Sequence, residues 1–230
     1  MIVVSVTSVS PCAGASSLCA ALAALATRCG EEPRVLCADA SSGGPGAALM
    51  FGCMEGGGRC PMAPERDPLD GICMSSCGAC VLRARGDEFA KAASCLRTLP
   101  FDMAFIDSGV RGRDEERLIE PVADMTLCVA TAEGNCLERL DSEEPSERER
   151  YVINRFDRRS RSMYDCRLFL ARSAIAPRLM RTTIPFDEAV LGSTLAMKPY
   201  PLSSPLSAAS DAASGVLAEI LSICRSGGEA

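Results

Sequence analysis

The sequence VSPCAGASS, residues 9–17, joins a β-branched apolar run at 2–7 to an Ala- and Leu-rich run at 16–28. Strand, tight loop and helix in that order put free backbone N–H groups and the positive end of a helix dipole where a phosphate can sit. Gly14 allows a close turn, and Ser16 and Ser17 open the helix. The loop has no cation of its own, because the chain's two lysines are Lys91 and Lys198. A second group of reactive residues lies in CMSSCGAC, where Cys73, Cys77 and Cys80 follow a C-x3-C-x2-C pattern. Three thiolates so spaced can hold an iron–sulfur cluster with one open iron, Cys53 or Cys60 being a fourth ligand, or they can bind zinc. The other reading is ordinary strand cysteines in a chain that has 14 of them. Asp187 and Glu188 form an acid pair whose expected place is the start of a helix. Arg155, Arg158, Arg159 and Arg161, in NRFDRRSR, form either a solvated loop and helix start or a patch for a polyanion or acidic partner.

The elements that must position these residues alternate along the chain. Short apolar runs at 2–7, 34–38, 103–107, 125–131, 151–154 and 180–184 read as buried strands. Helical composition covers 16–28, 87–99, 114–122 and 207–224. Residues 72–82 hold one strand or a hairpin around Gly78, and 50–69 read as irregular. The charge run at 138–150 reads as a solvated helix end and loop. This alternation predicts an α/β fold with a mainly parallel, doubly wound sheet, in a single domain over residues 1–230. Ligands in such sheets bind at the carboxyl ends of the strands, which draws Asp39, Asp107 and Asn154 toward the loop at Gly14.

Composition narrows the chemistry. Histidine is absent, which removes imidazole metal ligands, Ser-His-Asp and Cys-His catalysis. A net charge of −6 and 4% aromatic residues make nucleic acid an unlikely partner. With no export signal and no run of about 18 apolar residues, the expected setting is the cytoplasm, with reduced thiols.

The motifs together resemble the MinD/ParA-type P-loop ATPases of the deviant Walker A group, nearly from end to end. SPCAGASS stands where that family has K-G-G-x-G-K-[ST]-[ST], and VLCADAS matches the strand ending in D-x-D. FDMAFIDSG matches the Walker B strand, ADMTLCVAT the next strand, and VINRFD the base-contacting N-R segment. The stretch from IPFDEAV to PLSAASDAA follows the C-terminal pattern. The resemblance implies a P-loop NTPase-like fold and a nucleotide site built from Gly14, Ser16, Ser17, Asp39, Asp107 and Asn154. In it Ser16 is the magnesium-binding hydroxyl and Asn154 contacts the base.

The departures from the pattern set the expected function. Ser10 and Ala15 replace the two loop lysines, Pro11 and Cys12 replace glycines, and Ser41 replaces the aspartate that aligns the attacking water. Each lysine–phosphate contact is worth about 1.5–3 kcal/mol, so two lost contacts cost roughly 3–6 kcal/mol, or about 100- to 20,000-fold in affinity. Pro11 has no N–H to offer. The expectation is a non-hydrolysing binding or positioning accessory of a bacterial cell-envelope, pilus, secretion or partition machine, TadZ/CpaE-like or BcsQ-like. It would bind no cofactor, or ATP or ADP with magnesium only weakly. Its partners would be proteins of the larger assembly, and any homodimer would form without ATP. The alternative is an active ATPase with a remodelled loop, rescued by Arg111 or Arg113.

Overall fold

The computed structural model describes residues 1–41, 46–53, 72–84 and 86–226. Seven strands form one sheet: β1 (Ile2–Ser8), β2 (Val35–Asp39), β3 (Ile72–Met74), β4 (Cys80–Arg83), β5 (Met103–Val110), β6 (Met125–Ala130) and β7 (Glu149–Ile153). Eight α-helices accompany them among the described residues: α1 (Ala15–Ala26), α2 (Asp87–Cys95), α3 (Asp114–Ile119), α4 (Gly134–Asp141), α5 (Arg161–Leu170), α6 (Glu188–Leu195), α7 (Tyr200–Ser203) and α8 (Ala208–Ser226). A 3₁₀ turn, Ala47–Phe51, follows β2.

The strand order is β3-β4-β2-β5-β1-β6-β7, parallel throughout except for the β3–β4 pair. The near-continuous apolar strands are explained by burial on both faces. Alternate residues of one strand enter different cores: Val4 and Val6 of β1 pack toward one face, and Val3 toward the other. The first face is covered by α1 and α8, whose Leu18, Leu22, Val216 and Ile220 are buried there. The opposite face is covered by α2 and α3 around Phe89 and Ile119, and beyond β6 by α4 and α5 around Leu140 and Leu170.

Several expectations change in the structure. Residues 72–82 form the hairpin, turning at Gly78 in the left-handed region (φ 88°). The expected strand at 180–184 does not form. Leu179 and Pro185 make isolated bridges to Tyr151 and Phe156, and the Met180 and Ile184 N–H groups reach the Tyr151 and Ile153 carbonyls, but the Arg181 and Thr182 N–H groups between them go to the Glu219 carboxylate and interrupt the ladder. Of α5 and α6 only the starts were expected, at the arginine run and at the Asp187–Glu188 pair, and the one-turn helix α7 was not expected at all. The charge run at 138–150 is solvated only in part. Glu143 and Glu149 from it pair with Arg111 at 3.1 and 2.7 Å. Of the irregular stretch at 50–69, residues 54–69, and Cys60 with them, lie outside the described residues.

Candidate functional site

The loop at 9–14 leaves β1 at the carboxyl edge of the sheet and enters α1 through Gly14, whose backbone is left-handed (φ 97°). Gly14 is confined by sterics as well as by φ, since a Cβ there would overlap the Asn154 side-chain amide. That amide donates to the Ala13 carbonyl at 2.8 Å, while its oxygen accepts from the Arg155 N–H at 2.9 Å. Asn154 therefore reaches back from the end of β7 and ties down the loop. On the other side, Arg139 of α4 donates to the Val9 carbonyl at 2.7 Å. Cys12 is exposed at the tip and holds a positive φ of 62°, in a place where the resembled family has glycine. Ser10 is 2% exposed. Its hydroxyl has no nitrogen or oxygen partner and neighbours the Cys136 thiol.

Asp39 and Asp107 end up side by side because β2 and β5 are adjacent and in register, Asp39 opposite Asp107. Both are buried. Asp39 accepts from the Ser41 hydroxyl at 2.8 Å, the Ser41 N–H at 3.2 Å and the Ala48 N–H at 3.2 Å. Asp107 accepts from the Ala47 N–H at 3.0 Å and the Gly109 N–H at 3.2 Å, and the Ser16 hydroxyl lies beside it. The two carboxylates thus hold the amino end of the 3₁₀ turn, where orphan N–H groups seek acceptors. Burial pushes the Asp107 carboxyl up to about 6, against the pull of the Ser16 hydroxyl and with a further push from the Asp39 charge. Gly46, entering the turn, is required by proximity: a Cβ there would overlap both the Asp39 carboxylate and the Ser41 hydroxyl. Sequence reading missed Gly46, Ala47 and Ala48. The only available signal was the Gly and Pro punctuation of SSGGPGAA, which marks a turn without saying what it packs on.

The expected residues are therefore brought together in two subgroups. Ser16, Asp39 and Asp107 meet beneath the start of α1, and Gly14 meets Asn154 on the flank toward β7. Ser17 lines a neighbouring cavity of about 320 Å³ with Gly14, Asn154, Phe186, Leu191 and Tyr200. Arg111 stays out of the site. Its guanidinium bonds Glu143, Glu149 and the Cys128 sulfur and lies 5.9 Å from the Tyr151 ring centre. Arg113 stands at the cap of α3.

The expected thiolate cluster is not assembled. In the β3–β4 hairpin Cys73 pairs with Val81 and Cys80 with Met74, and period-two alternation sends Cys73 and Cys80 into cores on opposite faces of the sheet. Cys77 sits in the turn beside Ser75, with its sulfur 3.2 Å from the Ser75 hydroxyl. Among the described residues no three His, Cys, Asp or Glu side chains are placed to hold a metal ion. The acid pair behaves as expected: Asp187 caps α6, accepting from Ala189 N–H at 2.9 Å and, across to α8, from Ala209 N–H at 3.0 Å.

A parallel sheet in this order, with a phosphate-type loop after β1 and acids on the neighbouring β5 and on β2 beyond it, defines the MinD/ParA type of P-loop ATPase fold. Solved structures agree. The MinD cell division protein of Aquifex aeolicus superposes with a TM-score of 0.77 at 15% identity, over 96% of this chain and 97% of that one. MinD of Pyrococcus furiosus, a cell division ATPase, gives 0.74 at 20% identity over 96% and 99%. A ParA family ATPase from Chlorobium tepidum gives 0.70 at 17% over 96% and 98%. Comparison with curated proteins gave no match. Residues 79–221, more than half of the chain, match the family model for cellulose biosynthesis protein BcsQ, and the chain belongs to that family. No helix among the described residues is long and apolar enough to cross a membrane.

Proposed function

We propose that this chain is a MinD/ParA-type fold put to use without ATP hydrolysis: a single-domain, cytoplasmic binding and positioning accessory of a bacterial cell-envelope machine, in keeping with its place in the BcsQ family. One observation carries the reading. Both acids that would serve magnesium and water are already bonded to the backbone of the Ala47–Phe51 turn, Asp107 to Ala47 and Asp39 to Ala48. A cation entering there competes with those N–H groups for the carboxylate oxygens. The loop offers no lysine to offset the triphosphate charge, and Arg111 is held by two glutamates elsewhere. Phosphoryl transfer needs positive charge on the developing oxyanion and a positioned water, and Ser41 takes the place of the water-aligning acid. Gly14, Ser16 and Ser17 keep the helix end that a phosphate can approach, so weak ATP or ADP binding is expected and turnover is not.

The partners in this reading are proteins. A structural relative, MinD of Aquifex aeolicus, forms a complex with MinC. Any pairing of this chain with itself proceeds without nucleotide, because Ser10 is buried where the family's lysine would reach a partner's phosphates. The test is a steady-state ATPase assay beside a titration with a fluorescent ATP analogue and magnesium. The expected result is background turnover and an apparent Kd weaker than about 100 μM. Steady turnover by clean protein, or binding in the low micromolar range, overturns the proposal.

A further inference from the structure

The opposite end of the sheet carries a feature that the nucleotide site does not use. At the amino ends of β1, β6 and β7 lies a concavity of about 600 Å³ walled by Ile2, Pro121, Met125 and Ile223. Three arginines, Arg97, Arg148 and Arg150, line it, and a fourth, Arg178, lies beside Arg150. Arg97 is neutralised, donating to Asp124 at 2.6 Å and to the Met1 and Val122 carbonyls. The other three form no ion pair among the described residues. Arg148 donates to the Ala123 carbonyl at 3.2 Å. Arg150 donates to the Glu147 carbonyl at 2.8 Å and the Glu149 carbonyl at 2.6 Å, and Arg178 donates to the same Glu147 carbonyl at 3.2 Å. Two guanidiniums thus converge on one backbone oxygen with no carboxylate between them.

Like charges brought this close and half-buried are costly unless an anion joins them. Burial, and then the Arg178 charge, push the Arg150 guanidinium below its usual value, which marks it as uncompensated. The two carboxylates nearby do not fill the role. Asp124 is engaged by Arg97 and by the Val3 N–H at 2.7 Å. Glu147 is exposed and forms no ion pair among the described residues. Planar guanidinium forks match the oxygens of a phosphate, and the apolar walls suit an organic group carried on it.

We propose that this concavity binds a small soluble phosphate monoester, with its oxygens held by Arg150 and Arg178 and assisted by Arg148. This assignment stands independently of the proposed role of the nucleotide loop.

The test titrates the full chain, at low salt, with inorganic phosphate and with phenyl phosphate, following binding by calorimetry. Saturable binding is expected in the range of about 0.1–1 mM, tighter for phenyl phosphate because of the apolar walls. Arg150→Gln and Arg178→Gln each weaken it about tenfold or more, and Glu147→Gln, which removes a like charge from the rim, strengthens it by about two- to fivefold. Cys12→Asp, which adds a negative charge at the exposed tip of the far phosphate-type loop, leaves it unchanged. If Arg150→Gln lowers thermal stability, Arg178→Gln and Glu147→Gln carry the test, since they change side chains outside the buried core. No saturation by about 10 mM, equal binding by wild type and both arginine variants, or loss of binding in Cys12→Asp alone overturns the assignment. So does tight binding to phosphatidic acid vesicles that phenyl phosphate fails to displace, which would make a bilayer the ligand.

Discussion

Asp39 and Asp107 face each other across adjacent parallel strands, and each carboxylate accepts from a backbone N–H of the same 3₁₀ turn, Ala48 for the one and Ala47 for the other. Two buried acids within one hydrogen-bonded cluster repel each other, and the arrangement persists because N–H groups at a helix start supply compensating partial charge.

This pair gives the protein a pH signature. A carboxyl whose folded value is raised, from 3.8 to about 6 for Asp107, stabilises the fold while protonated and costs stability once ionised. Its contribution is complete below about pH 4 and is lost as pH rises through about 6, by roughly 3 kcal/mol in all. Denaturant midpoints should fall between about pH 4 and about pH 6.5, and Asp107→Asn should flatten that fall. An unchanged slope in the variant would assign the pH dependence to other groups.

Charge at the loop can be restored. A Ser10→Lys, Ala15→Lys variant should bind the fluorescent ATP analogue about tenfold or more tightly than wild type, each lysine contributing about 1.5–3 kcal/mol less its cost of ordering. Hydrolysis should stay at background, because the acids remain bonded to Ala47 and Ala48. No gain in affinity would locate the obstacle in the backbone of Pro11 and Cys12 instead.

Gly14 and Asn154 are coupled by space. Gly14→Ala should destabilise by about 2–4 kcal/mol, from the strain of a positive φ and from overlap with the Asn154 amide. Adding Asn154→Ala removes the overlap and not the strain, so the double variant should lose less than the sum of the singles. Simple additivity in urea denaturation would show that the two do not share this contact.

Arg111 should be a stability residue. Replacing it with leucine strands Glu143 and Glu149, which are 20% and 12% exposed, and should cost about 2–4 kcal/mol. Nucleotide affinity should not change. A loss of affinity with unchanged stability would return Arg111 to the nucleotide site.

Protein purified without oxygen should carry iron and zinc only at background, and reconstitution with iron and sulfide should produce no cluster absorbance. Cys73 and Cys80 project to opposite faces of their hairpin, and four thiolates cannot converge without unpairing it. Stoichiometric metal would require ligands from outside the described residues.

Much of this was legible from the chain. Runs such as IVVSVT and MAFID are too apolar and β-branched to sit anywhere but a two-sided sheet, and Gly14, Asp39 and Asp107 fall at the strand ends where such sheets bind ligands. The hairpin at Gly78 was one of two open readings, because three- and four-residue strands carry too little pattern to decide. Residues 180–184 read as a strand because hydropathy reports burial, and it cannot report that Glu219 of α8 takes the Arg181 and Thr182 N–H groups out of the ladder.

By itself the sequence determined the α/β class, the family, and the absence of lysine from the phosphate-type loop, since these follow from local pattern and residue identity. Tertiary structure alone decided that Ala47 and Ala48 occupy the two acids, that Arg111 turns to Glu143 and Glu149, that Cys73 and Cys80 part company, and that Arg150 and Arg178 converge on one carbonyl. Each of these depends on which strands become neighbours and in what register. That is settled by the packing of the whole core and is encoded in no single segment.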